Sequence, residues 1–244
     1  MVRELGERPR IKRRDKNLQR ILDAALELVE EGGLEGLSIQ RLAAKVDYTA
    51  GALYRYFESK DAILAQLVMR ILRDLRAYLD AAVALLPSDA PVLARVWTLA
   101  LGYRAFALRE PRRFGLLAMT LASPRVLLTE AGDADPVALE MISGLQGLAE
   151  AITVATEAEA LSADQDVETS SVDRTLCLFA FLQGLSLMQK QARYAPERLD
   201  TQRLSESGTR ALLLGWGAKG SSIDAALVCV KKSVALRTHF GGIS

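Results

Sequence analysis

The chain has 244 residues, half of them hydrophobic and a quarter charged, with a formal net charge of +1. That length supports one large or two modest domains with a sizeable core, and the charge excludes a polycation. The charge is uneven, however: residues 1–20 carry eight basic and three acidic side chains, a net +5, which leaves −4 for the other 224 residues. A basic end on a mildly acidic body suggests an end that meets an anion, although a solubilising tail has the same composition.

Apolar positions recur every three or four residues and almost no segment alternates with the period of a strand, so the chain reads as all-α with about nine to ten helices. Residues 1–14 lack an apolar period, contain Pro9 and read as a flexible basic arm. From Asp15, a plausible N-cap, Leu18, Ile21, Leu22, Ala25, Leu28 and Val29 form one stripe of an amphipathic helix that Gly32 and Gly33 end. Ser38 caps a two-turn helix with Ile39, Leu42, Ala43 and Val46 inward. Asp47 and Tyr48 make a turn, and Thr49 caps a short helix, Ala50 to Phe57, that points Leu53 and Phe57 inward. Ser59 caps a long helix carrying Ile63, Leu64, Leu67, Val68, Ile71, Leu75, Tyr78 and Leu79 on one side and fading near Pro87.

Six more helices are expected beyond Pro87, over 90–109, 112–121, 136–156, 171–194, 200–216 and 222–236. Pro136 stands in a first turn, where proline is tolerated. An acidic Ser-rich loop, 157–170, follows that helix, and its Glu157, Glu159, Asp164, Asp166 and Glu168 read as a solvated run. The domains predicted are an arm over 1–14, a unit of short capped helices over 15–62 and a helical body over 63–244. Cys177 and Cys229 sit in apolar runs and read as buried thiols, which fits a reducing cytoplasm. No apolar signal segment follows the basic N-terminus. No uninterrupted run approaches a membrane span, the best being Leu176–Leu182.

The segment Ser38–Lys60 carries the chemistry. A helix entering the major groove brings its N-terminal end close to base edges, and Thr49, Ala50, Gly51 and Ala52 are all small enough for that. Gly51 costs a helix roughly 1 kcal/mol, which makes sense where backbone must approach something closely. Tyr54, Arg55 and Tyr56 follow, with hydroxyls and a guanidinium suited to phosphate, and Arg55 suited to guanine as well. Lys60 stands in the first turn of the next helix, where free backbone N–H groups already favour phosphate. Arg41 and the basic arm are within reach of flanking backbone or the minor groove. Singly, Tyr54 and Tyr56 read as half-buried packing residues; the set is more specific than its members.

The stretch NLQRILDAALELVEEGGLEGLSIQRLAAKVDYTAGALYRYFESKDAIL, and GALYRYFESKDAIL most of all, resembles the N-terminal domain of the tetracycline-repressor (TetR) family of transcriptional regulators. The resemblance covers roughly Asn17 to Leu67. It departs from the family pattern at Asp47, where glycine is usual, and at Ala50, where lysine is frequent. The resemblance implies that Ser38 and Thr49 contact phosphates from helix N-termini and that Tyr54, Tyr56 and Lys60 hold the DNA backbone. Ala50, Gly51, Ala52 and Arg55 would lie nearest the bases. Tyr48 stays open between a backbone contact and packing.

The resemblance further implies a homodimer, a small-molecule effector and a palindromic double-stranded operator, hence a cytoplasmic protein at the nucleoid, most simply a repressor. The apolar run Leu176–Met188 surrounds its helix and reads as buried on both sides, one in its own domain and one in a second subunit. The interface residues expected are Phe181, Gly184, Leu185, Met188, Leu212 and Trp216, with Leu204, Ala211 and Leu214 beside them. Trp97, Tyr103, Phe106, Phe114, Met119, Met141, Gln146, Phe179 and Gln183 are candidate lining for a mostly hydrophobic ligand, and each is also ordinary core material. Arg104 would anchor an anion if it points inward.

Two rival classes remain. A ligand-independent DNA-binding or architectural protein would share residues 15–62 and lack a pocket. An all-helical enzyme would need nucleophiles, paired carboxylates or metal ligands on core helices, and none stands out. The single histidine, His239, reads as solvated, and no Glu-x-x-His pair, Cys/His cluster or Gly-rich phosphate loop is present. No cofactor and no metal are expected.

Overall fold

A computed structural model of the chain describes residues 4–122, 131–163, 171–189, 194 and 199–241. Among them there are eleven helices and no strand, as the 3.6-residue period predicts. They are α1 (Glu4–Gly36), α2 (Ile39–Lys45), α3 (Ala50–Leu53), α4 (Lys60–Ala84), α5 (Ala94–Arg109) and α6 (Pro111–Ala122). The rest are α7 (Ala131–Glu157), α8 (Ser171–Leu187), α9 (Thr201–Gly215), α10 (Gly220–Lys232) and α11 (Val234–His239).

The chain divides into two compact units, the first made of residues 1–72 and 112–140, the second of 73–111 and 141–244. The division differs from a cut near residue 62. The first half of α4 groups with the N-terminal helices because its Ile63, Leu64, Leu67 and Val68 are buried there as core. In the first unit the predicted stripe of α1 is buried at Ile21, Leu22, Ala25, Leu28 and Val29. Ion pairs from Arg70 to Asp23 (2.6 Å) and from Arg113 to Glu30 (3.1 Å) tie α4 and α6 to α1. Helix α1 begins at Glu4, so the segment expected as a flexible arm is drawn as helix and Asp15 caps nothing. Gly33, at φ +67°, breaks the helix where the glycine pair predicts.

In the second unit α5 is almost wholly buried, with Trp97 fully enclosed. Gly102 lets it lie close to Leu79 and Phe240, since a Cβ there would meet Leu79 Cδ2 at 2.8 Å. His239 is not solvated: it is half-buried, stacks on Tyr78 at 4.3 Å and faces the Tyr78 carbonyl through Nε2 at 3.0 Å. The C-terminal helical segment is two helices, broken at Ser233, which caps the second through Leu236 N–H.

Three further expectations change. Cys177 is exposed and Cys229 half-exposed, because both fall on outward positions of their helices. Pro136 is the sixth residue of α7 rather than in its first turn. The segment Pro136–Glu157 is long and apolar enough to cross a membrane by length and composition, with only 17% of its window buried. It buries Leu148, Ala151, Ile152 and Ala155 and exposes Leu139, Ile142 and Val154. Asp164, Asp166 and Glu168 of the acidic run lie outside the described residues, as do residues 190–193, through which α8 was expected to continue.

Candidate DNA interface

The interface is built from two short capped helices and the turn between them. Ser38 Oγ accepts from Arg41 N–H at 3.2 Å, opening α2, and Thr49 Oγ1 accepts from Ala52 N–H at 3.2 Å, opening α3. Each cap satisfies an N–H that has no partner within its own helix. Leu42, Ala43 and Val46 bury the inner face of α2, and Leu53 and Phe57 anchor α3. Asp47 takes φ +56° at the turn, the left-handed conformation a glycine would adopt without strain. The Tyr48 N–H then returns to the Ala43 carbonyl at 2.9 Å. Regular helix in α3 ends at Leu53, four residues short of Phe57, and Tyr54 to Tyr56 continue as turn.

With the inner faces fixed, the outward residues follow. Thr49, Gly51, Tyr54 and Arg55 are exposed, and Ala50 and Ala52 half-exposed. Tyr54, at 54% exposure, packs on little of its own domain, so the packing reading fails for it. Tyr56 and Tyr48 divide differently. Their rings stack at 6.2 Å, the Tyr56 hydroxyl accepts from Asn17 Nδ2 at 3.3 Å, and the Arg20 guanidinium lies 5.2 Å over the Tyr48 ring. Arg20 also donates to the Val46 carbonyl at 2.8 Å, closing the C-terminus of α2. Tyr48 is thus held in packing contacts, and Tyr56 is oriented by α1 with its O–H still able to donate.

Asn17 and Arg20 are site-building residues that sequence reasoning missed. Their signal was spacing: two polar residues three apart on α1, off the apolar stripe. The cations expected on phosphate are also engaged. Arg41 Nη1 donates to the Gly36 carbonyl at 2.8 Å and Lys60 Nζ to the Leu34 carbonyl at 3.3 Å. Both stitch the connection between α1 and α2, and both keep further N–H groups outward. Lys45, held between Glu27 (3.0 Å) and Glu31 (3.2 Å), has its pKa raised by the hydrogen bonds it donates to Glu27 and then to Glu31.

The other predicted sites fare unevenly. In the second unit Trp97, Tyr103 and Phe106 are buried, the Tyr103 hydroxyl bonds to Gln183 Oε1, and Phe179 meets Tyr103 edge-on at 5.9 Å. Burial pushes the Tyr103 phenol well above its ordinary pKa. Met141 is half-buried and Gln146 exposed. Phe114 is core of the first unit, and Met119, in the same unit, is 51% exposed, so the nine residues form no single cluster within one unit. Periodicity ranks such residues by face, and only the packing of the neighbours says which faces meet.

On α8, Leu178, Leu182 and Leu185 are buried while Val172, Leu176, Cys177, Ala180, Gly184, Leu187 and Met188 are exposed. Phe181 turns inward: a Cβ on Gly208 of α9 would meet its ring at 2.1 Å. Phe181 and Leu185 thus pack within the chain. Leu212 and Trp216 are half-buried, with the Arg174 guanidinium 5.9 Å from the Trp216 ring. On α9, Ser207, Ala211, Leu214 and Gly215 face outward.

Two capped helices across a tight turn, braced by α1 and presenting a small-sided outward end, define a helix-turn-helix DNA-binding domain. Residues 21–67 match the family model of bacterial regulatory proteins, tetR family. The chain is 27% identical over 184 residues to the uncharacterized HTH-type transcriptional regulator YobS of Bacillus subtilis, covering 70% of this chain and 93% of that one. It is 37% identical over 79 residues to the transcriptional repressor KstR of Mycolicibacterium smegmatis, covering 32% of this chain and 37% of that one. The fold is similar to that of the transcriptional regulator FadR of Bacillus subtilis, solved with stearoyl-CoA (TM-score 0.58, 16% identity, 81% of this chain and 98% of that one). Residues 21–67 thus carry the DNA-binding domain of the tetR family of bacterial regulatory proteins.

Proposed function

We propose that this protein is a cytoplasmic repressor that binds a palindromic operator as a homodimer and is released by a small ligand held in its second unit. The observation that carries the reading is the outward end of α3. Gly51, Tyr54 and Arg55 are exposed there, on a helix whose cap and anchors are otherwise complete. Repression is what the relative KstR is named for, and a bound ligand is what the FadR complex is named for.

Dimerisation is supported by the outward face of α8 and α9. Leu176, Ala180, Gly184 and Leu187 form a strip continuous in periodicity, and Ala211 and Leu214 form another. Small residues at such spacing let two helices approach closely, and apolar residues at 41–48% exposure are costly to leave in water. A dimer would set two α3 ends about 34–36 Å apart, one turn of DNA.

Residues 60–72 of α4 belong to the first unit and 73–84 to the second. A ligand preferring one conformation of the second unit would act on the spacing of the α3 ends through that helix. A coupling of about 1–3 kcal/mol changes operator affinity roughly 5- to 150-fold. Among the described residues no cluster of His, Cys, Asp or Glu gathers as a metal site.

Selection of operators from random duplex DNA, with wild type and Arg55→Ala in parallel, tests the reading. A palindrome with half-sites one turn apart is expected from wild type, and a relaxed base preference from the variant. Failure to enrich any sequence would refute the regulator reading; a single asymmetric half-site would refute the dimer.

A further inference from the structure

Buried polar groups in folded proteins almost always have partners, so each that does not needs a reason. In the second unit seven residues carry such an atom, and four of them stand on two helices that pack together. Arg104 of α5 is 9% exposed, and its Nε and Nη1 are buried without a hydrogen bond. On the same face of α5, two turns earlier, Trp97 is fully enclosed and its Nε1–H is unpaired. Helix α9, which packs against α5, contributes Ser205 and Thr209, both 0% exposed and both with unpaired hydroxyls.

Trp97 and Arg104 are seven residues apart, close to two full turns, and Ser205 and Thr209 are four apart, so each pair shares one helix face. Leu101, between Trp97 and Arg104, shares a small groove with Gln202 and Glu206 of α9, which places the middle of α5 beside the first half of α9. Arg104 also feels the charges of Asp200 and Glu206. Neither carboxylate bonds to it: Asp200 Oδ1 caps α9 by accepting from Gln202 and Arg203 N–H, and Glu206 pairs with Lys231 at 2.8 Å. Burial disfavours the charge of the guanidinium, the two carboxylates offset this only in part, and Nε and Nη1 keep donors open. Donors left open on a buried guanidinium suit an anion such as a carboxylate, which accepts charge-assisted hydrogen bonds from them.

We propose that the second unit binds a small organic carboxylate between α5 and α9, its anionic end on Arg104 and its polar contacts completed by Trp97 Nε1–H, Ser205 and Thr209. The apolar surroundings contributed by α5 take the rest of the molecule, so the ligand class is an amphipathic monoanion rather than a neutral hydrophobe. This rests on the reading of the second unit as an effector-binding body, and it gives the mostly hydrophobic ligand expected from the sequence an anionic end.

The test uses the full-length protein. Thermal unfolding is followed with butyrate, octanoate and benzoate at millimolar concentration, each against its uncharged alcohol. The carboxylates are expected to raise wild-type Tm by about 2–4 °C, a ligand-linked stabilisation, and the alcohols to leave it unchanged. Arg104→Met is expected to abolish the shift while melting at or above the wild-type temperature, since it removes a buried charge that makes no bond. The proposal is overturned if no carboxylate shifts wild type, if the alcohols do so equally, or if Arg104→Met is markedly destabilised, which would make the guanidinium structural. Operator affinity measured on the same samples separates the two readings. Carboxylate binding that leaves DNA affinity unchanged supports the site and sinks the inducible switch; wild type that binds no DNA sinks the regulator reading and leaves the site standing.

Discussion

Replacing Gly51 by alanine separates folding from DNA binding in a single methyl group. Gly51 is the second residue of α3, it is exposed, and a Cβ placed on it meets no protein atom within 4 Å. Its φ is not in the left-handed region, so alanine fits the backbone. Alanine also restricts the unfolded chain, a stabilisation of about 0.4–1 kcal/mol. For a chain of this size that raises Tm by roughly 1–4 °C. The new methyl points to the side on which DNA is proposed to lie. A loss of tenfold per half-site is about 1.4 kcal/mol, and a dimer carries two half-sites, so operator affinity should fall by about a hundredfold. Circular dichroism melting and fluorescence anisotropy with the selected operator measure the two quantities on one preparation. The expected result is a more stable protein that binds DNA worse. A variant that binds like wild type would mean that no backbone approach to DNA depends on this glycine, and the orientation proposed for α3 would be wrong.

The remaining predictions concern the scaffold and the assembly. Gly36→Ala should destabilise by about 1–3 kcal/mol, because the added Cβ would lie 2.5 Å from the Leu28 carbonyl oxygen, a backbone atom that cannot step aside. Gly32→Ala, whose Cβ meets only Arg41 Nη1 at 3.7 Å, is the control and should melt no lower than wild type in the same denaturation series. Ala180→Glu places a charge on an exposed position of α8, so the monomer should stay folded while the dimer dissociates. Sedimentation reads this directly, and a dimer that survives would move the interface elsewhere. Phe181→Glu, by contrast, should unfold the α8–α9 packing itself, since the ring fills the space above Gly208.

Much of the candidate site is legible in the chain because its rules are local. Ser38 and Thr49 are N-caps by residue type and position, and the structure places each in a cap bond. Leu53 and Phe57 are inward by their spacing, and both are buried. Asp47 tolerates the positive φ that the turn demands. Less legible were the partners of side chains long enough to reach another element. Lys60 and Arg41 read as free cations and are found on the carbonyls of Leu34 and Gly36. Tyr48 was open between two roles until Arg20 and Tyr56 closed around it.

The second unit shows the opposite balance. Apolar periodicity says that α8 is hydrophobic all round, yet it cannot say that Phe181 and Leu185 turn inward while Ala180 and Gly184 turn outward. That choice was made by Gly208 on a different helix. Nor does residue type reveal that Arg104 is enclosed with an open guanidinium, because burial of a long cation depends on what packs around it. The sequence by itself determined the class of fold, the capped helix pair and the outward end of α3, since caps, turns and 3.6-residue stripes are settled within a few residues. Only the tertiary structure decided which cations are already occupied, which face of α8 stays open and where an unpaired charge lies buried, since those depend on contacts between residues tens of positions apart.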